Sequence, residues 1–141
     1  MLSQNEIRRR AGIFAEDWKD AHYERGETQS FYNEFFEIFD IKRRSVATYE
    51  EQVKKLNNNK GFIDLFWPKV LLIEQKSEGR DLKKAMEQAD EYFLELDEIL
   101  RPRYILTCDF QNFHLVDLDE RNEQHFKLSE LPEKIECFNF T

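Results

Sequence analysis

The sequence is poor in the residues that break or staple chains. It has four glycines, three prolines and two cysteines in 141 residues. So few glycines and prolines argue against a loop-rich or low-complexity protein. Two cysteines, Cys108 and Cys137, cannot form a disulfide framework; they fit a reducing cytoplasm, with packing as their expected role. No apolar run approaches the length needed to cross a membrane. Ile7-Arg8-Arg9-Arg10 is not followed by the apolar segment of a secretory signal. Net positive charge is also missing: the formal charge is −8. An acidic chain holds nucleic acid poorly by itself, because phosphate binding relies on Lys and Arg. A role on DNA therefore requires a local basic surface or another domain.

Phenylalanine and charge are abundant, with 13 Phe and 35% Asp, Glu, Lys and Arg. The length suits one domain with a substantial core and a densely ionic surface.

The chain is organised around Gly61 to Ser77, GFIDLFWPKVLLIEQKS. Two apolar strand runs are joined by a tight turn at Trp67-Pro68-Lys69. Asp64, Glu74 and Lys76 interrupt them, and buried strands rarely carry charge unless it is paired or binds a metal. Side chains alternate along a strand, so Glu74 and Lys76 share a face. Folding back near Pro68 sets Asp64 opposite Glu74 within a residue or two. Two hard carboxylates suit Mg²⁺, and a lysine beside them can hold a water or offset phosphate charge. The competing reading is a buried salt bridge in a hairpin. Asp17-Trp18-Lys19 and Asp81-Leu82-Lys83 repeat the acidic-x-Lys pattern, but in segments that read as exposed helix.

Along the chain, Ser3-x-x-Glu6 has capping-box spacing. Ile7, Ala11, Phe14 and Trp18 predict a helix from about Gln4 to Glu24, ending near Gly26. Arg8, Arg9 and Arg10 fall on its polar side, as a solvated face or as candidates for DNA contact. Glu27 to Phe39 predicts a second, strongly aromatic helix, followed by a basic loop, Lys42-Arg43-Arg44. Ser45 to Leu56 reads as a strand ending near Leu56 and hairpinned onto Phe62–Phe66 across an Asn-rich turn, with a short helix capped at Thr48 as the alternative. A long helix is expected over Asp81 to Leu100, stopped by Pro102, with Gln88 and Tyr92 on one flank. Strands at Tyr104–Cys108 and Phe113–Val116, a last short strand near His125–Leu128 and a short helix from Ser129 to Glu136 complete an α/β chain with a mixed sheet covered by helices. His22, His114 and His125 are scattered and read as ordinary structural or surface histidines. Gly61 and Gly79 make no phosphate-binding loop.

Asp64…Glu74-x-Lys76 on a meander, followed by Gln88-x-x-x-Tyr92 on the next helix, resembles the PD-(D/E)XK nuclease superfamily, and the Gln-x-x-x-Tyr element its RecB-like members. Gly26–Phe36, Gly61–Trp67 and Arg101–Phe110 look like the N-terminal nuclease domain of MmeI-like type IIG restriction-modification enzymes, and the likeness covers essentially the whole chain. It implies a restriction-endonuclease-like core with an extra N-terminal helix, and cleavage of double-stranded DNA in the cytoplasm. It also implies that Asp64, Glu74 and the backbone carbonyl of Gln75 bind Mg²⁺, with Mn²⁺ as an alternative. Lys76 would orient or activate water, and Gln88 and Tyr92 would support the lysine or touch the DNA backbone. A glutamate from the first core helix often joins such sites; Glu27 fits best, with Glu34 and Glu37 in reserve. Residues 1–25 would be the N-terminal helix, 27–128 the nuclease core and 129–141 the start of a linker to absent domains: an S-adenosylmethionine-dependent methyltransferase and a target-recognition domain. The alternatives are a catalytically silent nuclease-fold module that positions DNA or the methyltransferase domain, and a standalone repair or resolvase nuclease.

Overall fold

A computed structural model describes residues 2–22, 24–54, 60–79 and 81–140. Its elements are α1 (Gln4–Asp17), α2 (Glu24–Glu37), α3 (Arg43–Val46), β1 (Thr48–Lys54), β2 (Lys60–Trp67), β3 (Leu71–Gln75), α4 (Leu82–Glu95), β4 (Tyr104–Cys108), β5 (Asn112–Asp117), β6 (Asn122–Lys127) and α5 (Leu131–Lys134). The six strands form one mixed sheet in the order β1-β2-β3-β4-β5-β6. All neighbours are antiparallel except β3 and β4. The one parallel step is the one that α4 crosses, because parallel neighbours need a long connection.

The strands sort their side chains onto two faces. Leu71, Ile73, Tyr104, Leu106 and Leu115 pack with Phe14, Phe31 and Phe35 of α1 and α2. Leu72 and Ile105 pack on the other face with Ala89, Tyr92 and Leu96. β3 and β4 are buried at every position, as expected of central strands covered on both sides. Phe31 sits at the centre of an aromatic cluster, with Phe14, Tyr32 and Phe110 at 4.9, 5.0 and 5.1 Å between ring centroids. Each such buried ring contributes about 1.5–3 kcal/mol from area alone. Leu131, Ile135 and Phe138, in the segment expected to start a linker, belong to this same core.

Several boundaries differ from the sequence expectation. The first helix stops at Asp17, not Glu24. Its reversal is pinned by the Gln111 side chain, whose amide donates to the Trp18 and Ala21 carbonyls. Gly26 therefore lies inside α2, which starts at Glu24. Lys42 precedes a short helical turn, α3, without a capping side-chain bond, where a basic loop was expected. The fourth helix ends at Glu95 because the Arg101 guanidinium takes the Phe93 and Leu94 carbonyls; a separate 3₁₀ turn, Glu98–Leu100, precedes Pro102. The ambiguous segment after Ser45 is strand β1, in register with β2 from Thr48↔Phe66 to Lys54↔Lys60. Most of the Asn-rich turn, 55–59, lies outside the described residues. No helix among the described residues is long and apolar enough to cross a membrane.

Candidate active site

The β2–β3 ladder runs Trp67↔Leu71, Phe66↔Leu72, Leu65↔Ile73. Continued by one step, it sets Asp64 against Glu74, as the hairpin arithmetic predicts. The ladder ends there. The Gln75 amide, which would otherwise pair across the strands, donates to Asp64 Oδ2 at 2.7 Å. Glu74 is buried to 1% exposure. Burial, then the neighbouring Asp64 carboxylate, push its carboxyl up to about 10, with Lys76 opposing. Its Oε1 has no hydrogen-bond partner among the described residues. A buried, orphaned carboxylate oxygen beside a second carboxylate is an arrangement that a divalent cation would satisfy.

Lys76 follows on the same face. Its amide donates to the Cys108 carbonyl at 2.8 Å, which fixes the strand end against β4. Its Nζ donates to Gln88 Oε1 at 3.4 Å, and Gln88 Nε2 donates to Tyr92 Oη at 2.9 Å. The four-residue spacing on α4 thus connects Lys76, Gln88 and Tyr92 in one chain. Burial and the Glu74 charge both raise the Tyr92 phenol, so it stays protonated. On the opposite face, the Tyr32 hydroxyl donates to the Gln75 side chain, holding β3 against α2. Cys108, pushed up to about 12 by burial, is an inert packing thiol.

A cavity of about 540 Å³ opens at this strand end. It is lined by Gly26, Thr28, Gln29 and Ser30 of α2, Tyr49 and Glu50 of β1, and Asp64 and Gln75. Glu27 lies between the lining residues of α2, and its Oε2 is buried with no hydrogen-bond partner among the described residues. Glu34 and Glu37 line a different hollow, between α1 and α2, where Glu34 accepts from the Trp18 indole. The Arg8–Arg10 run is engaged within the fold: Arg8 with Glu136, Arg9 with Glu6, and Arg10 with Glu6 and the Glu37 carbonyl.

Two features were missed from sequence. Glu50 stands on the cavity wall with a left-handed backbone, φ 54°. Nothing in its neighbourhood signalled this, since Ser45–Leu56 has no clear period. His114 and His125, read as scattered, stack with ring centroids 4.0 Å apart. Strand register was the missing information.

The fold and this site define an α/β domain whose sheet presents two carboxylates and a lysine at one strand end. The profile of the family described as MmeI, N-terminal domain, matches residues 9–141, and the chain belongs to that family. Among solved structures it is similar to a cryoEM structure of a DrdV–DNA complex, at 16% identity and a TM-score of 0.55. The match covers 99% of this chain and 14% of that one, so the chain spans about a seventh of that protein's length. No curated protein sequence matches.

Proposed function

We propose that this chain is the Mg²⁺-dependent endonuclease domain of a restriction-modification protein, with a PD-(D/E)XK site, acting on double-stranded DNA. The carrying observation is the buried Glu74 with its orphaned oxygen, beside Asp64 and followed by Lys76. Asp64 and Glu74 would hold the cation, with the Gln75 carbonyl beside them and Glu27 as the candidate from α2. When bound, Mg²⁺ supplies Lewis-acid stabilisation of phosphate charge and lowers the pKa of a coordinated water.

The chain's own groups then have defined tasks. Asp64 is positioned by the Gln75 amide. Lys76, steered by Gln88 and Tyr92, orients a water and offsets negative charge. The cavity between α2 and β1 is walled by the carboxylates of Glu50 and Asp64, with Glu27 beside it and no Lys or Arg among the described residues that line it, so a phosphate there would rely on the bound cation to offset these charges. Arg43 sits over the ring of Tyr49, a residue of the cavity wall, 4.2 Å from its centroid, and donates to Asn33 and the Ala47 carbonyl. The DrdV–DNA complex supports the DNA reading by likeness of fold. Membership of the MmeI N-terminal family supports methyltransferase and target-recognition domains, with S-adenosylmethionine as the methyl donor, elsewhere in the parent protein.

The experiment is duplex cleavage by the parent protein with Lys76→Ala. Cleavage is expected to fall by ~10³-fold while methylation persists. Undiminished cutting would contradict the reading. Methylation without any cutting by the wild-type protein would favour a silent positioning module, the alternative that the net charge of −8 supports.

A further inference from the structure

β5 and β6 carry a second cluster of metal-ligating side chains, separated from β3 by β4. His114 and His125 are direct partners in the antiparallel ladder, and Glu123 lies two residues from His125, opposite Val116. Alternation therefore puts both histidines and Glu123 on one face, while Phe113, Leu115 and Phe126 fill the core on the other. The imidazoles lie nearly parallel, 16° apart. Both present Nε2 to the same carboxylate oxygen, Glu123 Oε2, at 2.7 Å from His114 and 3.8 Å from His125. The three donor atoms lie within 4.8 Å of one another.

Ligand atoms around a tetrahedral ion at ~2.1 Å stand ~3.4 Å apart, so the two observed separations bracket the requirement. Side-chain rotations that unstack the two rings, so that both Nε2 lone pairs point at one ion, would complete it. The backbone need not move, because the ladder already fixes all three Cα positions. Two imidazoles and one carboxylate are borderline ligands. They suit Zn²⁺, Co²⁺, Ni²⁺ or Cu²⁺ rather than the Mg²⁺ that an all-oxygen site takes. The histidines also line a hollow of about 490 Å³ with Leu82 and Met86 of α4, which leaves room for water or another ligand at an open position. Burial raises the carboxyl of Asp90 on α4, with His114 opposing and Glu123 adding to the shift, so this carboxylate senses the cluster.

We infer that His114, His125 and Glu123 form a transition-metal site of the Zn²⁺ class that clamps the β5–β6 hairpin. β6 is an edge strand of the sheet. A cross-strand metal would tie that edge to its neighbour and stabilise the folded state by mass action. The inference is independent of the proposed nuclease reading.

The test uses Zn²⁺ and Co²⁺ alone on the 141-residue chain, comparing wild type, His125→Asn, Glu123→Gln and the pair Asp64→Ala/Glu74→Ala. His125 is 72% exposed at its side chain, so its replacement should leave the metal-free melt unchanged. Wild type should bind one more Zn²⁺ than His125→Asn does, with a rise in Tm, and Co²⁺ should give visible absorption bands. His125→Asn should weaken Zn²⁺ binding at least ~10-fold. The Asp64→Ala/Glu74→Ala pair should retain the Co²⁺ bands, and excess Mg²⁺ should not displace them. Absence of Zn²⁺ binding, binding unaffected by His125→Asn, or bands lost with the Asp64→Ala/Glu74→Ala pair would each overturn the inference.

Discussion

The Gln75 amide donates a 2.7 Å hydrogen bond to Asp64 Oδ2 where the β2–β3 ladder would otherwise continue. The backbone carbonyl acceptor of the ladder is thereby replaced by a carboxylate acceptor at the point where the strands part. That exchange aligns Asp64 beside Glu74 without a loop, so the acidic pair rests on the rigid centre of the sheet. Sites held by strands are held more precisely than sites held by loops.

Glu74 makes stability depend on pH in a defined sense. Its folded-state carboxyl titrates at about 10, above the ordinary 4.5. Between those values the unfolded chain has released this proton and the folded chain has kept it. The contribution of Glu74 is therefore fully present below about 4.5 and is lost as pH rises toward 10. Without divalent ions, Glu74→Gln should gain stability relative to wild type as pH rises, reaching on the order of 3 kcal/mol at pH 7. Denaturant melts from pH 4 to 9 measure this; parallel profiles for the two proteins would contradict it.

The link from Lys76 to Gln88 predicts a different signature. Gln88→Leu should slow DNA cleavage by the parent protein ~10-fold, the scale on which supporting hydrogen bonds act. Mg²⁺ affinity should be unchanged, because Gln88 contacts the lysine and Tyr92 rather than the carboxylates. Loss of metal affinity in Gln88→Leu would reassign its role.

Asp117 accepts two bonds from the Arg103 guanidinium, at 3.1 and 3.0 Å, and two more from the Asp119 and Glu120 amides. Burial acts to raise its carboxyl, but these donors hold it below the ordinary range. A depressed carboxyl stabilises above its unfolded pKa and loses that stabilisation as pH falls through the folded value. Asp117→Asn should cost ~1–3 kcal/mol at pH 7. The cost should shrink below about pH 4, where the unfolded carboxylate begins to protonate. A cost independent of pH would show that the charge contributes nothing.

Much of this was legible in the chain because it rested on local pattern. Alternation and the Trp67-Pro68-Lys69 turn set Asp64 against Glu74, and the apolar runs marked β3 and β4 as central strands. The four-residue spacing of Gln88 and Tyr92 predicted their shared flank on α4. What escaped depended on long-range contacts. The first helix ends early where Gln111, some 90 residues away, takes the Trp18 and Ala21 carbonyls of the reversal that follows it. The fourth ends early because Arg101 folds back onto it. The His114–His125 pair follows from strand register, which spacing alone does not give.

The most direct measurement is a thermal melt of the chain with and without Mg²⁺ or Mn²⁺, beside Asp64→Ala. A cation that binds only the folded state raises Tm in step with its occupancy. At 100 times its Kd it should add about 2.7 kcal/mol to the wild type and nothing to Asp64→Ala. An equal rise in both proteins, or none in the wild type even with a short DNA duplex present, would contradict a metal centre at Asp64 and Glu74.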